Sequence, residues 1–545
     1  MSSWLMAKTL VGTLIADGVT DIVLAPGSRS AALAVALADA ERAGAIRLHV
    51  RVDERVAGFL ALGLAKASGR VVPVVCTSGT AVGNLLPAAM EARHAGIGWL
   101  ALTCDRPAYR VGTGASQTTD QSGLFGVFSV ANARLSSSSG RPAYWSSAIR
   151  RALIAASGVR TGRPGPAQVN VEFSNPMLPE DPADREWTPA VGPQFPVAAV
   201  RPDDPVALPA TPGTVVLVGD ADVANGAEAR ALAEIARLPL LAEPSSNART
   251  GPNAITTYRL LLGGELGRQV SRVITFGHPT LSRPVAALLS DADVEHIVVT
   301  RHADWADVGA TAAAVVSGVT IPPDESDWLD RWRSADARAL SRLASQLPDL
   351  SGYTLAAAVV ASVAAGDNLV FGSSNPIRDA DIAPPGPAAV AWANRGLAGI
   401  DGTIAMATGI ALATGRPTTL LLGDLTFQHD VGALALPPGE PRPVLRIVIA
   451  DDDGGSIFHT LEQGAPAFQD AFERVFATPQ SLDLATIASA FGWRTSRLND
   501  LGDVRAALAR PIKGPEVLVV PVRRADRRAT DRALATWATT PPVTD

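Results

Sequence analysis

Gly423-Asp424-Leu425-Thr426, Arg446-Ile447-Val448-Ile449-Ala450 and Asp451-Asp452-Asp453-Gly454-Gly455 decide the fold of this chain. A carboxylate stands just past the apolar run Thr418–Leu422, and a carboxylate cluster with a glycine pair stands just past Arg446–Ala450. Asp424 and Asp452 are 28 positions apart (452 − 424), about the length of one strand–helix–strand unit in a parallel sheet. Both clusters are then expected at the same carboxyl edge, where open α/β sheets bind ligands. Hard oxygen ligands beside tight glycine turns suit Mg²⁺, which usually also takes phosphate oxygens. The plain alternative is a pair of ordinary acidic turns.

Outward from this stretch, strands are expected at Asn368–Phe371, Ala388–Ala391, Thr418–Leu422, Arg446–Ala450 and Glu516–Val520. An earlier block starts at Thr214–Gly219 and continues through Val273–Phe276 and His296–Thr300. Its turn Val218-Gly219-Asp220-Ala221-Asp222 lacks G-x-G-x-x-G and reads as a sheet turn. The N-terminal block offers Asp21–Ala25, Ile46–Val52, Val71–Cys76, Trp99–Thr103 and Ala167–Glu172. Strands separated by helical patterns predict parallel sheets covered on both faces. The expected fold class is α/β, with three consecutive doubly wound, mostly parallel-sheet domains. Boundaries are drawn at 1–180, 214–348 and 349–545, and Pro-rich 181–213 is read as an extended linker.

At 545 residues, 47% hydrophobic and 18% charged, the chain can bury several cores. A net charge of −6 offers no basic surface for nucleic acid. Cys76 and Cys104 read as buried thiols of a reducing compartment. The N-terminus lacks a signal-peptide layout, and no uncharged apolar run reaches the ~18–20 residues that span a bilayer. A soluble, cytoplasmic protein without membrane insertion is expected.

Three further turns carry chemistry. Asp53-Glu54-Arg55 follows the second strand and precedes a helix over Val56–Ala67; taken alone, Asp53 or Glu54 is a helix cap or a first-turn acid favoured by the helix dipole. Pro26-Gly27-Ser28-Arg29-Ser30 and Thr77-Ser78-Gly79-Thr80-Ala81 follow the first and third strands, the latter with small residues fit for close approach of a ligand.

Together these pieces resemble the thiamine diphosphate (ThDP) enzymes. Their GDG…NN motif matches Gly423-Asp424 through Asp451-Asp452, and their catalytic glutamate matches Glu54. Within that family the chain is most similar to the carboligases of menaquinone biosynthesis. The similarity runs through Pro26–Ser30, Asp53–Arg55, Thr77–Ala81 and Asp105-Arg106-Pro107. It continues in Asn394-Arg395-Gly396, Gly399-Ile400-Asp401-Gly402, Gly423–Thr426 and Gly454-Gly455-x-Ile457-Phe458. Leu425 replaces the last Gly of GDG, as this branch does, while Asp451-Asp452-Asp453 replaces Asn-rich residues and adds negative charge beside a diphosphate.

The resemblance implies a pyrimidine-binding domain, a central domain and a diphosphate-binding domain, with ThDP and Mg²⁺ (or Mn²⁺) as cofactors. Asp424, Asp452 and the carbonyl of Gly454 would hold the metal. Thr77, Gly79, Thr80, Ile400, Gly423, Leu425, Gly454, Gly455 and Ile457 would contact ThDP. Glu54 would exchange a proton at the pyrimidine N1′, and Ile400 would keep the cofactor bent. The implied reaction decarboxylates 2-oxoglutarate and adds the succinyl carbanion equivalent to isochorismate in a Stetter-like 1,4-addition. Both substrates are dianions, which suits guanidinium partners at Arg29, Arg106, Arg378 and Arg395. Ser28, Gln117 and Ser374 would add hydrogen bonds, and Ile457, Phe458 and Leu461 an apolar wall; Arg283 fits the pattern more loosely. In this family the cofactor lies between the first domain of one subunit and the third of another, so a homodimer at minimum, and a homotetramer, is implied.

Two other functions fit some of the same pieces. An acetohydroxyacid synthase-like carboligase would use pyruvate, against which the several Arg argue. A non-catalytic ThDP or nucleotide sensor would need no proton relay, against which Glu54 argues.

Overall fold

The structure, a computed structural model, describes residues 2–181, 187 and 195–539. Much of the Pro-rich stretch expected as a linker, including Pro182, Pro189 and Pro193, lies outside the described residues. The chain divides into two compact units: Met1–Arg201 with Asp401–Gly415 and Asp430–Pro443, and Pro202–Ile400 with Arg416–His429 and Val444–Asp545.

The first unit holds a six-stranded, all-parallel sheet ordered Arg47–Val50, Asp21–Leu24, Val72–Cys76, Trp99–Asp105, Pro166–Glu172, Ala131–Ser136. Numbered along the chain, that order is 2-1-3-4-6-5. The second unit holds two large sheets and a two-stranded one. One is six-stranded and parallel, ordered Val390–Ala393, Asn368–Phe371, Thr418–Gly423, Leu445–Asp451, Glu516–Pro521, Arg494–Arg497, which is again 2-1-3-4-6-5. The other has five parallel strands in the order 5-4-3-1-2 from Ala312–Val316 to Leu240–Ala242. In all three large sheets the order reverses between strands 1 and 3. The crevice at the carboxyl end of that switch point is where such sheets take ligands.

The strands read as continuous apolar runs because both faces are covered. In Thr214–Val218, Val215 and Leu217 enter one core cluster while Val216 and Val218 enter another, the two-residue alternation of a strand between helical layers. In the first unit the helix Glu54–Ser68 packs on the almost wholly apolar helix Thr403–Thr414. Glycine permits this crossing: a Cβ on Gly63 would lie 2.1 Å from the Met406 carbonyl oxygen, and one on Gly409 2.4 Å from that of Leu60. Asp430 accepts the first free amides of the second helix, from Ile404 (2.7 Å) and Ala405 (2.9 Å). No helix among the described residues is long and apolar enough to cross a membrane.

The α/β class and the three parallel sheets agree with the sequence reading; strand ends and sheet edges depart from it. The strand expected at Ala388–Ala391 runs Val390–Ala393, two residues later, because Pro387 and Ala389 form a turn before it. Ala131–Ser136, Leu240–Ala242, Ala312–Val316 and Arg494–Arg497 were not anticipated. All four are edge strands; Ala131–Ser136 and Arg494–Arg497 are partly exposed and carry no apolar run, while Leu240–Ala242 is only three residues long and Ala312–Val316 is apolar but partly exposed. Val206–Ala207, inside the expected linker, pairs with Val319–Thr320.

Candidate active site

Predicted site residues gather at the switch points of both six-stranded sheets. In the first unit, Pro26–Ser30 leaves strand 1 and Thr77–Thr80 leaves strand 3. A Cβ on Gly27 would fall 2.4 Å from Cβ of Thr77, so the two turns touch through a glycine. The Arg29 amide donates to Oγ1 of Thr77 (3.3 Å), and its Nη1 donates to the Phe173 carbonyl (3.1 Å). Arg106 Nη1 donates to Oγ of Ser78 (3.0 Å) and to the Gln117 carbonyl (2.9 Å). Gln117 returns a bond from Nε2 to the Ser78 carbonyl (3.0 Å). Burial and the neighbouring Arg106 guanidinium push the pKa of Arg29 down. Ser28, Thr80 and Gln117 are exposed, and Arg29, Gly79 and Arg106 half-buried, so the turn is open to a ligand.

Glu54 is the first residue of its helix. Asp53 is the cap: its Oδ1 accepts the amides of Arg55 (2.8 Å) and Val56 (3.2 Å). The plain cap reading therefore holds for Asp53 and releases Glu54, whose half-buried carboxylate accepts from Nδ2 of Asn84 (3.1 Å). Sequence reasoning missed Gln121. This buried side chain accepts the Gly79 amide (3.0 Å), donates to the Cys104 carbonyl (3.1 Å) and donates to Oδ1 of Asn170 (2.8 Å). It fixes Gly79 at φ +82°, a backbone shape that favours glycine. Cys76 and Cys104 are buried free thiols, with burial pushing both pKa values up.

In the second unit a cavity of about 300 Å³ opens at the corresponding switch point. Gly423, Asp424 and Leu425 line it from strand 3, and Asp452, Gly454 and Gly455 from strand 4. Ser374, Arg378 and Arg395 add polar lining, and Ile400, Ile457 and Phe458 apolar lining. Leu461 does not line this cavity; its carbonyl is held by Nη1 of Arg528 (2.8 Å).

The acidic triplet is sorted by the backbone. Asp451 ends its strand facing Arg497 at 4.0 Å, while Asp453, at φ +50°, points outward and accepts the Ser481 amide (3.0 Å). Asp452 faces the cavity with Asp424. Burial, then the adjacent Asp424 carboxylate, pushes Asp452 up to about 8. Asp424 is pushed up to about 6 by burial and by Asp451 and Asp453, although its Oδ2 accepts the Gly454 amide (2.8 Å). Gly454 has φ +135°, and a Cβ there would sit 2.4 Å from the Ala477 carbonyl oxygen. Only glycine lets the chain pass Ala477 and bring its amide to Asp424.

Four arginines line the cavity, Arg378, Arg395, Arg523 and Arg527. Arg378 Nη1 donates to the Ser374 carbonyl (2.8 Å); burial and then Arg395 push Arg378 down to about 10. Arg395 is 1% exposed, and its Nη1 has no hydrogen-bond partner among the described residues. Sequence reasoning also missed Asn375, which donates from Nδ2 to Oγ of Ser456 (2.5 Å) and leaves Oδ1 unpartnered among the described residues. It missed Arg527 as well, which lines the cavity, pairs with Asp379 (2.7 Å) and stacks on Tyr353 (4.5 Å). No short motif marks either residue.

The donor set fits a divalent cation bound through phosphate. Among the described residues no three His, Cys, Asp or Glu side chains gather as a self-sufficient metal cluster. Two mutually repelling carboxylates and a carbonyl leave coordination positions for outside oxygens, the usual situation of Mg²⁺ at phosphate sites. The unpartnered Arg395 donor offers an anion contact from the same wall.

Parallel sheets with this pair of clusters define a ThDP enzyme. Residues 6–124 match the family model described as thiamine pyrophosphate enzyme, N-terminal TPP binding domain. Three curated proteins, each named 2-succinyl-5-enolpyruvyl-6-hydroxy-3-cyclohexene-1-carboxylate synthase, are similar over nearly the whole chain. That of Nocardioides sp. is 45% identical, covering 97% of this chain and 96% of its own. That of Kineococcus radiotolerans is 48% identical, over 93% of each chain, and that of Mycobacterium avium 41%, over 97% and 98%. The chain belongs to the 2-succinyl-5-enolpyruvyl-6-hydroxy-3-cyclohexene-1-carboxylate synthase family.

Proposed function

We propose that this enzyme of menaquinone biosynthesis decarboxylates 2-oxoglutarate and joins the succinyl unit to isochorismate by a 1,4-addition. One observation carries the reading: a carboxylate pair and a guanidinium pair, Asp424 with Asp452 and Arg378 with Arg395, line one cavity at a sheet switch point. When bound, ThDP supplies the electron sink that lets a 2-oxo acid lose CO₂.

The chain's residues do the rest. Asp424, Asp452 and the Gly454 carbonyl hold Mg²⁺ or Mn²⁺ against the diphosphate. Gly423, Leu425 and Gly455 would line its bed, Thr77, Gly79 and Thr80 would meet the pyrimidine, and Ile400 would support the cofactor from the cavity lining. Glu54 holds and exchanges the proton at N1′; its tie to Asn84 orients the carboxylate for that task. Ser28, Arg29, Arg106, Gln117, Ser374, Arg378 and Arg395 bind the substrate carboxylates, while Ile457 and Phe458, without Leu461, keep water away from the reacting carbon.

Residues 1–180 would form the pyrimidine-binding domain, 214–348 the central domain and 349–545 the diphosphate-binding domain, with 181–213 between the first two. The active form would be a cytoplasmic homotetramer, each site taking Glu54 from one subunit and Asp424 from another. The test is an assay with ThDP and Mg²⁺ that follows loss of isochorismate absorbance. Turnover is expected with 2-oxoglutarate and not with pyruvate. CO₂ release from pyruvate alone would favour the acetohydroxyacid synthase reading, and none from either substrate the sensor.

A further inference from the structure

The five-stranded sheet has a switch point of its own, and protein fills it. The turn after Phe276 lies so close to the turn after Val218 that a Cβ on Gly219 would meet the Pro279 nitrogen at 2.0 Å. His278 and Asp220 exchange backbone hydrogen bonds of 2.9 and 3.1 Å. Glu243 follows strand Leu240–Ala242 and is 1% exposed. Its Oε1 accepts the amides of Thr280 (3.0 Å) and Leu281 (2.9 Å). Leu281 then inserts into the core of the diphosphate-side sheet, in the cluster containing Leu355 and Phe371.

Thr280 is also the anchor of Arg395. Its Oγ1 accepts Nε (3.0 Å) and Nη2 (2.6 Å) of that guanidinium, and its carbonyl accepts Nη2 as well (3.2 Å). Two of the three guanidinium nitrogens are thus tied to one residue. The third, Nη1, is left unpartnered among the described residues on a side chain that lines the cavity. A planar guanidinium held along one edge can present the opposite corner in only one direction.

We propose that Glu243 is a positioning residue for Arg395: it fixes the Thr280 turn, and Thr280 aims Nη1 of Arg395 at a carboxylate in the cavity. The aim toward a carboxylate rests on the reading of Arg395 given above; the fixing of its guanidinium does not. A carboxylate that accepts two adjacent amides clamps a turn rigidly, and a buried amide left without an acceptor costs about 1–3 kcal/mol, enough to move it.

The test uses the full-length enzyme with ThDP and Mg²⁺. Glu243→Ala and Thr280→Val should each raise KM for the same dianionic substrate as Arg395→Ala does, by about tenfold, the scale of one buried hydrogen bond left unmade. ThDP affinity should stay at the wild-type value. Adding Glu243→Ala to Arg395→Ala should raise KM no further, since both act on one guanidinium. Glu243→Gln keeps an acceptor oxygen and should restore KM to near the wild-type value. A lowered melting temperature with KM unchanged in Glu243→Ala and Thr280→Val, or additive effects in the double variant, would overturn the proposal. If Arg395→Ala leaves both KM values unchanged, the substrate role of Arg395 fails separately. Crystal structures of Glu243→Ala and Glu243→Gln then decide the positioning role: a displaced Arg395 guanidinium in the first but not the second supports it, and an unmoved Arg395 in both refutes it.

Discussion

The two six-stranded sheets share a strand order, yet the clusters at their switch points differ in how far their polar groups find partners within the chain. The N-terminal cluster is largely settled before any ligand arrives. Glu54 has Asn84, the Gly79 amide has Gln121, and Arg106 has Ser78 and the Gln117 carbonyl. The C-terminal cluster is not settled: burial and then Asp424 push the pKa of Asp452 up, burial with Asp451 and Asp453 pushes up that of Asp424, and Arg395 keeps a buried donor without an acceptor among the described residues. One fold thus yields a cluster whose polar groups are mostly partnered within the chain, proposed above to receive a heterocycle, and one whose carboxylates and buried guanidinium are not, proposed to receive a cation and anions. The difference lies in what leaves strands 3 and 4. Small hydrogen-bonding residues leave strand 3 of the first sheet, and carboxylates with glycines leave strands 3 and 4 of the other.

The sharpest way to break the comparison is to exchange the consequences of damage on its two sides. Glu54→Gln should lower turnover by about 10²–10⁴-fold, the usual contribution of a positioned acid–base group, in the isochorismate absorbance assay. Chelation by EDTA should abolish the same activity, and Mg²⁺ should return it, because the charged bed cannot hold diphosphate without a cation. Asp424→Ala should weaken ThDP binding by more than the roughly 10–100-fold that loss of an outer-shell metal partner costs. Asp452→Asn, which restores the residue type common in the wider family, should keep binding within a few fold, since an amide oxygen still ligates and one repelling charge is gone. Equal losses from Asp424→Ala and Asp452→Asn would mean that charge alone, not oxygen placement, makes the bed.

Smaller effects sharpen the settled side. Gly63→Ala would drive a methyl into the Met406 carbonyl and should cost about 1–3 kcal/mol of stability, the range of core overpacking, read by denaturant titration. Smallest is Asp21, the first residue of strand 1 in the N-terminal sheet. Burial works against its charge, but His49 and Arg47 outweigh that and bring its pKa from 3.8 to about 2. A carboxylate with a depressed folded pKa contributes stability that is complete above 3.8 and is lost as pH falls toward 2. Melting temperatures of wild type and Asp21→Asn should therefore differ most at neutral pH and converge at the acid end of that window.

Much of this was legible in the chain because interior parallel strands must be apolar on both faces. Runs such as Thr418–Leu422 and Arg446–Ala450 announce themselves, and the turn chemistry after them points to the carboxyl edge. Edge strands such as Arg494–Arg497 were illegible because one neighbour and an exposed face impose no apolar pattern. The acidic triplet shows the limit at the site. Three identical residues cannot reveal which one the backbone turns toward Asp424; that depends on φ +50° at Asp453 and on the passage of Gly454 past Ala477. Gln121, Asn375 and Arg527 act through partners distant in sequence, so neither spacing nor composition singles them out.

The central claim is that the carboxylate bed, not the glutamate turn, captures the cofactor. Calorimetric titration of ThDP into the metal-free protein, with and without Mg²⁺, tests it most directly in wild type, Glu54→Gln and Asp424→Ala. Saturable binding that needs Mg²⁺, survives in Glu54→Gln and disappears in Asp424→Ala is the predicted result. Binding of equal strength without Mg²⁺, or in Asp424→Ala, would contradict it.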